Sequence, residues 1–190
     1  PGLDSNASFA KLAHMVRTPY VAYMGDDDFL IPEGMARCIA FLETHDDYVA
    51  AHGKARVFML DSDSAFGSMK VTGNYPQRPI EKNTATARLF SHLIDYTVMI
   101  FSVHRADAWR IMWGDTGRIP DRSFGAELLP CCLSVVLGKV KQLKGLYLLH
   151  QDNPARYDLP SAMDWISSPD WAPSCRIFED VLAGHLTRIE

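Results

Sequence analysis

Thr18-Pro19-Tyr20-Val21-Ala22-Tyr23-Met24-Gly25-Asp26-Asp27-Asp28-Phe29-Leu30-Ile31-Pro32-Glu33 decides the fold class of this 190-residue chain. The run from Tyr20 to Met24 is apolar and aromatic and reads as a short buried strand. It leads directly into three consecutive carboxylates. A turn follows, and Pro32 suits the first turn of a helix. Three like charges at the end of an apolar strand repel one another. Full exposure to water or a bound divalent cation relieves them. Ligands of open α/β sheets collect at the carboxyl ends of strands, and that position favours the cation.

Working outward, Asp4 or Ser5 caps a first helix with Phe9, Leu12, Ala13 and Val16 on its buried face. The helix opened by Pro32 buries Met35, Cys38, Ile39 and Leu42. His45-Asp46-Asp47 then reads as a solvated turn. Two strand-like runs, Tyr48 to His52 and Lys54 to Leu60, are broken by Gly53. Asp61 to Lys82 shows no period, holds Asp61, Asp63, Tyr75 and Arg78, and reads either as a binding loop or as a plain excursion of the chain. A helix from Thr84 to Ile94 with Ala87, Phe90 and Ile94 inward precedes a strand from Tyr96 to Val103. Ala106 to Trp113 forms a short helix. Arg122 to Leu137 forms another, which Pro130 should kink and Gly138 should end. Lys139 to His150 is a last strand, bent at Gly145. A Pro-, Ser- and Asp-rich stretch follows, then an amphipathic helix with Phe178, Val181, Leu182 and His185 aligned.

Composition excludes several classes. The formal net charge is −4 and no run of Lys or Arg occurs, so nucleic acid is not an expected partner. No apolar window reaches the roughly 18 residues of a membrane span. Cys38, Cys131, Cys132 and Cys175 form no Cys-x-x-Cys pair. Cys38, Cys131 and Cys132 read as small core residues of a protein in a reducing, cytoplasmic setting.

The acidic segment resembles the metal and nucleotide motif of family 2 GT-A glycosyltransferases. In that motif a strand, an acidic run, an aromatic or aliphatic pair, a Pro and a helix follow in order. Asp27 and Asp28 fall on the family's terminal acidic pair. Gly25 stands where many members carry an earlier Asp, and an Asp-x-Asp alignment from Asp26 to Asp28 fits as well. The resemblance runs from about Asp4 to His150. It matches the later part of the family's domain, because only the residues up to Thr18 precede the motif's strand and the family's nucleotide-binding half lies before it. The expectation is therefore an α/β, partial GT-A fold with a mixed sheet flanked by helices over residues 1–153. Residues 154–190 then form an irregular tether and a helix packed on the same domain or on a partner.

The resemblance implies metal-dependent transfer of a sugar from a nucleotide sugar to a saccharide or other hydroxyl acceptor, with inversion. Mn²⁺ or Mg²⁺ is the implied cofactor. Asp26, Asp28 and His150 are candidate ligands, and Asp26, Asp27 and His150 are candidate donor contacts. Glu127 is the candidate general base, with Asp121 in reserve. Gln151 and Arg156 are weaker candidates, and Trp109, Trp113, Trp165 and Trp171 are aromatic platforms or core. The alternative is a non-catalytic binding or scaffolding fragment. Exposed edges of an incomplete sheet would then favour a homodimer. A calcium EF-hand loop is excluded, since its sixth position wants Gly and Ile31 or Glu33 stands there. A dehalogenase-type phosphohydrolase loop is disfavoured by Leu30, where Thr or Val is needed.

Overall fold

The computed structural model describes residues 4–61, 66–153 and 160–190. In chain order it contains α1 (Ser5–Met15), β1 (Tyr20–Ala22), β2 (Phe29–Leu30), α2 (Pro32–Glu43), β3 (Tyr48–Leu60) and β4 (Met69–Tyr75). Then come α3 (Ala85–Ile94), β5 (Val103–Arg105), α4 (Ala106–Gly114), α5 (Leu129–Leu137), β6 (Lys139–Gln151), α6 (Ala162–Ile166) and α7 (Trp171–Ile189). A 3₁₀ turn spans Thr116–Arg118 and a π-helical turn spans Phe124–Leu128.

The strands form one mixed, curled sheet in the order β1-β5-β3-β6-β2, flanked by helices. The long strands β3 and β6 run parallel at its centre. β5 pairs antiparallel with the start of β3, and β4 with its far half. Gly53 does not break β3 as the sequence suggested. A Cβ there would lie 2.7 Å from the carbonyl oxygen of Gly145, so glycine lets the two central strands approach. Gly145, with φ of 93°, supplies the expected bend in β6.

Sheet and helices enclose one core that includes Leu42, Phe58, Trp113, Leu133, Val140 and Tyr147, all inaccessible to solvent. Asp4 caps α1 by accepting from the backbone N–H of Ala7 at 2.8 Å. Pro130 lies at the start of α5, just after the π-helical turn. It has no N–H to donate to the preceding turn, and Leu129 instead donates to the carbonyl of Phe124. The expected kink is thus a widened turn. α7 packs on α5, and Phe178 reaches the ring of Phe124 at 5.5 Å. Among the described residues no helix is long and apolar enough to cross a membrane.

Four further expectations are corrected. Residues 69–75 form β4 in a hairpin with β3, so the middle of the supposed loop is strand. Its Asp63, like Arg156 downstream, lies outside the described residues. The strand expected from Tyr96 is confined to Val103–Arg105. Before it the chain turns, with the Met99 N–H donating to Sγ of Cys131 at 3.2 Å. Leu12 of α1 is exposed and Asn6 is buried instead, donating to the carbonyl of Ile119 at 2.8 Å. Helix α3 faces inward through Ala85, Arg88, Leu89 and His92, leaving Phe90 and Ile94 exposed. Arg88 sets that orientation. Its guanidinium donates to the carbonyls of Val135 and Val136 at the end of α5, and to those of Lys82 and Asn83.

Candidate functional site

The acidic run lies between β1 and β2. Chain reversal at Asp26 and Asp27 is closed by a 3.4 Å hydrogen bond from the Asp28 N–H to the Gly25 carbonyl. Phe29 and Leu30 then pair antiparallel with Leu149 and Leu148 of β6. This short strand, unforeseen in the sequence, brings Asp28 to the end of β6. Oδ1 of Asp28 accepts from the Gln151 N–H at 3.1 Å and lies 2.8 Å from Nδ1 of His150. The Asp28 side chain is 2% exposed and that of His150 11%.

The imidazole contact has ion-pair distance without the alignment of a hydrogen bond. Nε2 of His150 has no hydrogen-bond partner among the described residues. The ring is enclosed by Tyr75 at 4.5 Å and Phe101 at 5.7 Å. Phe101 in turn meets Tyr23 at 5.6 Å. Burial, then the charges of Asp28 and Asp26, push the Tyr23 hydroxyl above the usual tyrosine range, and Arg122 partly opposes them.

Gly25 has a spatial role here. A Cβ at this position would lie 2.9 Å from Oδ2 of Asp28 and 3.1 Å from Oδ1 of Asp27. Two carboxylates therefore converge over an atom-sized gap that only glycine leaves open. Asp26, on the same turn, is exposed to solvent. The pair nearest Gly25 is thus Asp27 and Asp28. Among the described residues no group of three or more His, Cys, Asp or Glu side chains encloses a metal position. Mg²⁺ or Mn²⁺ shared with a diphosphate needs only one or two protein carboxylates, and Asp27 and Asp28 meet that requirement with hard oxygen donors.

The base candidates stand apart from the acids. Glu127, half-buried on the π-helical turn, accepts from the Tyr96 hydroxyl at 3.2 Å. Burial, then Cys131 and Glu127, raise that phenol well above its ordinary range. Asp121 caps the same segment. Its Oδ1 accepts from the Phe124 N–H at 2.9 Å and its Oδ2 from the Trp165 indole at 3.0 Å. No hydrogen bond or ion pair joins Glu127 or Asp121 to the acidic run among the described residues. Trp109 and Trp113 are core residues, whereas Trp165 and Trp171 pack around Phe124.

Sequence reasoning missed the aromatic wall of Tyr23, Tyr75 and Phe101 and the nearby cation of Arg122. Tyr23 directly precedes the acids and Arg122 follows Asp121, so both were within reach of a positional argument. Tyr75 stands in the stretch read as a loop and Phe101 in the run read as a strand, but no spacing brought either of them to His150. No protein-family model matches the chain, and a search of curated proteins finds no match.

Proposed function

We propose that this chain carries the cation- and diphosphate-holding part of a GT-A-like glycosyltransferase, which moves a sugar from a nucleotide sugar to an acceptor hydroxyl with inversion. The observation that carries this proposal is the convergence of Asp27 and Asp28 over Gly25, with His150 against Asp28. A bound Mn²⁺ or Mg²⁺ supplies Lewis-acid stabilisation of the departing diphosphate. Asp28 and Asp27 offer the hard oxygens, and Asp26 stands at the mouth toward the donor. The Gln151 N–H holds Oδ1 of Asp28, with Nδ1 of His150 beside it, and Oδ2 lies toward Gly25. Phe101 and Tyr75 keep water from the imidazole.

Glu127 takes the acceptor proton, oriented by the Tyr96 hydroxyl. Asp121 serves less well as a base, since both its carboxylate oxygens already accept structural hydrogen bonds. Free thiols at all four cysteines agree with a reducing, cytoplasmic setting.

Calorimetry with uridine diphosphate tests the proposal. Binding is expected only with Mn²⁺ or Mg²⁺ and is expected to vanish in Asp28→Asn. Binding that is indifferent to metal, or retained in the variant, would overturn it. The burial of Asp28 against His150 and Gln151 favours one second reading. There the contact is purely structural, clasping the acidic turn to β6 in a non-catalytic binding module. No nucleotide binding under any metal, together with a large stability loss in Asp28→Ala, would select it.

A further inference from the structure

A second polar recess lies at the opposite end of β1 from the acids. It is a groove of about 390 Å³ whose lining includes Arg17, Pro19, Tyr20, Arg105, Asp107 and Arg110. Three arginines and one aspartate line this groove in a chain of net charge −4. The arginines come from the α1–β1 link, the end of β5 and the body of α4, so the fold gathers them.

Backbone carbonyls hold each arginine in place. Arg105 donates through Nε to Tyr48 at 2.9 Å and through Nη2 to His45 at 3.2 Å. Arg110 donates through Nη1 to Val16 at 3.2 Å, and Arg17 through Nη1 to His14 at 2.8 Å. These bonds leave Nε and Nη2 of Arg17, Nη1 of Arg105 and Nε of Arg110 without hydrogen bonds among the described residues. The acidic competitors are weak. Asp46, 3.5 Å from Arg105, is fully exposed, and Asp107, paired with Arg110, is 91% exposed. Arg17 has no carboxylate partner among the described residues. Three positioned forks with spare donors suit the oxygens of a phosphate, and their prior anchoring lowers the ordering cost of binding. The groove is larger than a bare phosphate and falls at the small end of ligand sites. Tyr20 and Pro19 add an apolar wall.

We infer that this groove binds the phosphate monoester group of a small ligand whose remaining part lies against Tyr20 and Pro19. The site is separate from the acidic cradle, so its test stands whether or not the glycosyl-transfer proposal holds.

Titration of the full chain with phenyl phosphate, followed by backbone amide NMR, tests the inference. Saturable shifts are expected at Thr18, Tyr20 and Ala106–Arg110. Inorganic phosphate is expected to bind the same residues at least about threefold more weakly, since it lacks the part that meets Tyr20. Arg17→Gln and Arg110→Gln are each expected to weaken phenyl phosphate binding about fivefold or more. Lys144→Gln, an equal charge change on the exposed bend of β6, should stay within about twofold. Either arginine variant that keeps a folded spectrum is sufficient. Absence of saturable shifts, equal losses in all three variants, or inorganic phosphate binding as tightly as phenyl phosphate would each overturn it.

Discussion

Nδ1 of His150 lies 2.8 Å from Oδ1 of Asp28, and this contact joins the turn after β1 to the end of β6 inside a shell of Tyr75 and Phe101. Removing one member of a buried polar pair leaves the other desolvated and unsatisfied. Asp28→Ala is expected to lower unfolding free energy by about 2–4 kcal/mol, as measured by urea denaturation. Asp28→Asn keeps an acceptor for the Gln151 N–H and should cost about half as much. With His150→Ala added, the double variant should lose clearly less than both single losses together. Strict additivity would show that the contact contributes no coupling.

Gly25→Ala separates space from stability at the same turn. The added methyl would meet the end of the Asp27 side chain, which can swing aside, and Oδ2 of the buried Asp28, which can move only by disturbing the contacts of its Oδ1. The fold should lose about 1–2 kcal/mol, less than in Asp28→Ala. The convergence of the two carboxylates would be lost, and manganese-dependent binding of uridine diphosphate should fall at least about tenfold. Unchanged affinity in calorimetry would show that the cradle holds nothing.

Arg88 is 5% exposed and serves four backbone carbonyls, two of them at the end of α5. Arg88→Ala should cost about 3 kcal/mol or more in a denaturant titration. Arg88→Lys should recover little, because an ammonium cannot reproduce the planar fork. Full recovery by lysine would reduce the role of Arg88 to charge alone.

The same residue explains where sequence reasoning succeeded and failed. Helices α1, α2 and α4 and the bend at Gly145 were legible because caps, Pro32 and periodic apolar positions act locally. The face of α3 was not. An arginine at position 88 reads as solvated until α5, forty-seven residues away, presents carbonyls to it. Tyr96 to Ser102 has strand composition, but its backbone finds turn partners and a sulfur rather than a neighbouring strand. Part of the site was readable for a similar reason. Three acids after an apolar strand are conspicuous by position alone. The pairing of Phe29 with Leu149 was invisible, and it is this pairing that carries Asp28 to His150. The approach of Asp27 rather than Asp26 to Gly25 depends on turn geometry, which no spacing rule reveals.

Asp121 offers a test of structure against chemistry. It caps the π-helical segment and accepts from the Trp165 indole, tying α6 to the body. Asp121→Ala should lose about 1–2 kcal/mol of stability and shift tryptophan emission as the indole loses its partner. Glu127→Gln should leave both readouts nearly unchanged while abolishing sugar transfer. A variant pair behaving the other way round would exchange the two roles.

Acid should unfold this protein through its histidines before its carboxylates titrate. Burial, then the charge of Arg78, drives His92 down to about 4. Burial also drives His104 down to about 4, against a hydrogen bond to the Ser102 carbonyl. His52 is shifted in the same direction. In the unfolded chain each titrates near the ordinary value of about 6.5. Below that pH the unfolded state takes up protons that the buried rings refuse. Stability is therefore complete above about pH 6.5 and falls progressively as pH drops toward 4, by on the order of 3 kcal/mol for each ring shifted that far. Urea midpoints measured from pH 7.5 to 4.5 should show the decline. His92 is fully buried and neither ring nitrogen finds a partner among the described residues, so His92→Leu sacrifices no hydrogen bond. That variant should match or exceed the parent at pH 7 and show a visibly shallower loss between 6.5 and 4.5. An unchanged slope would mean that His92 is not among the groups setting the acid limit.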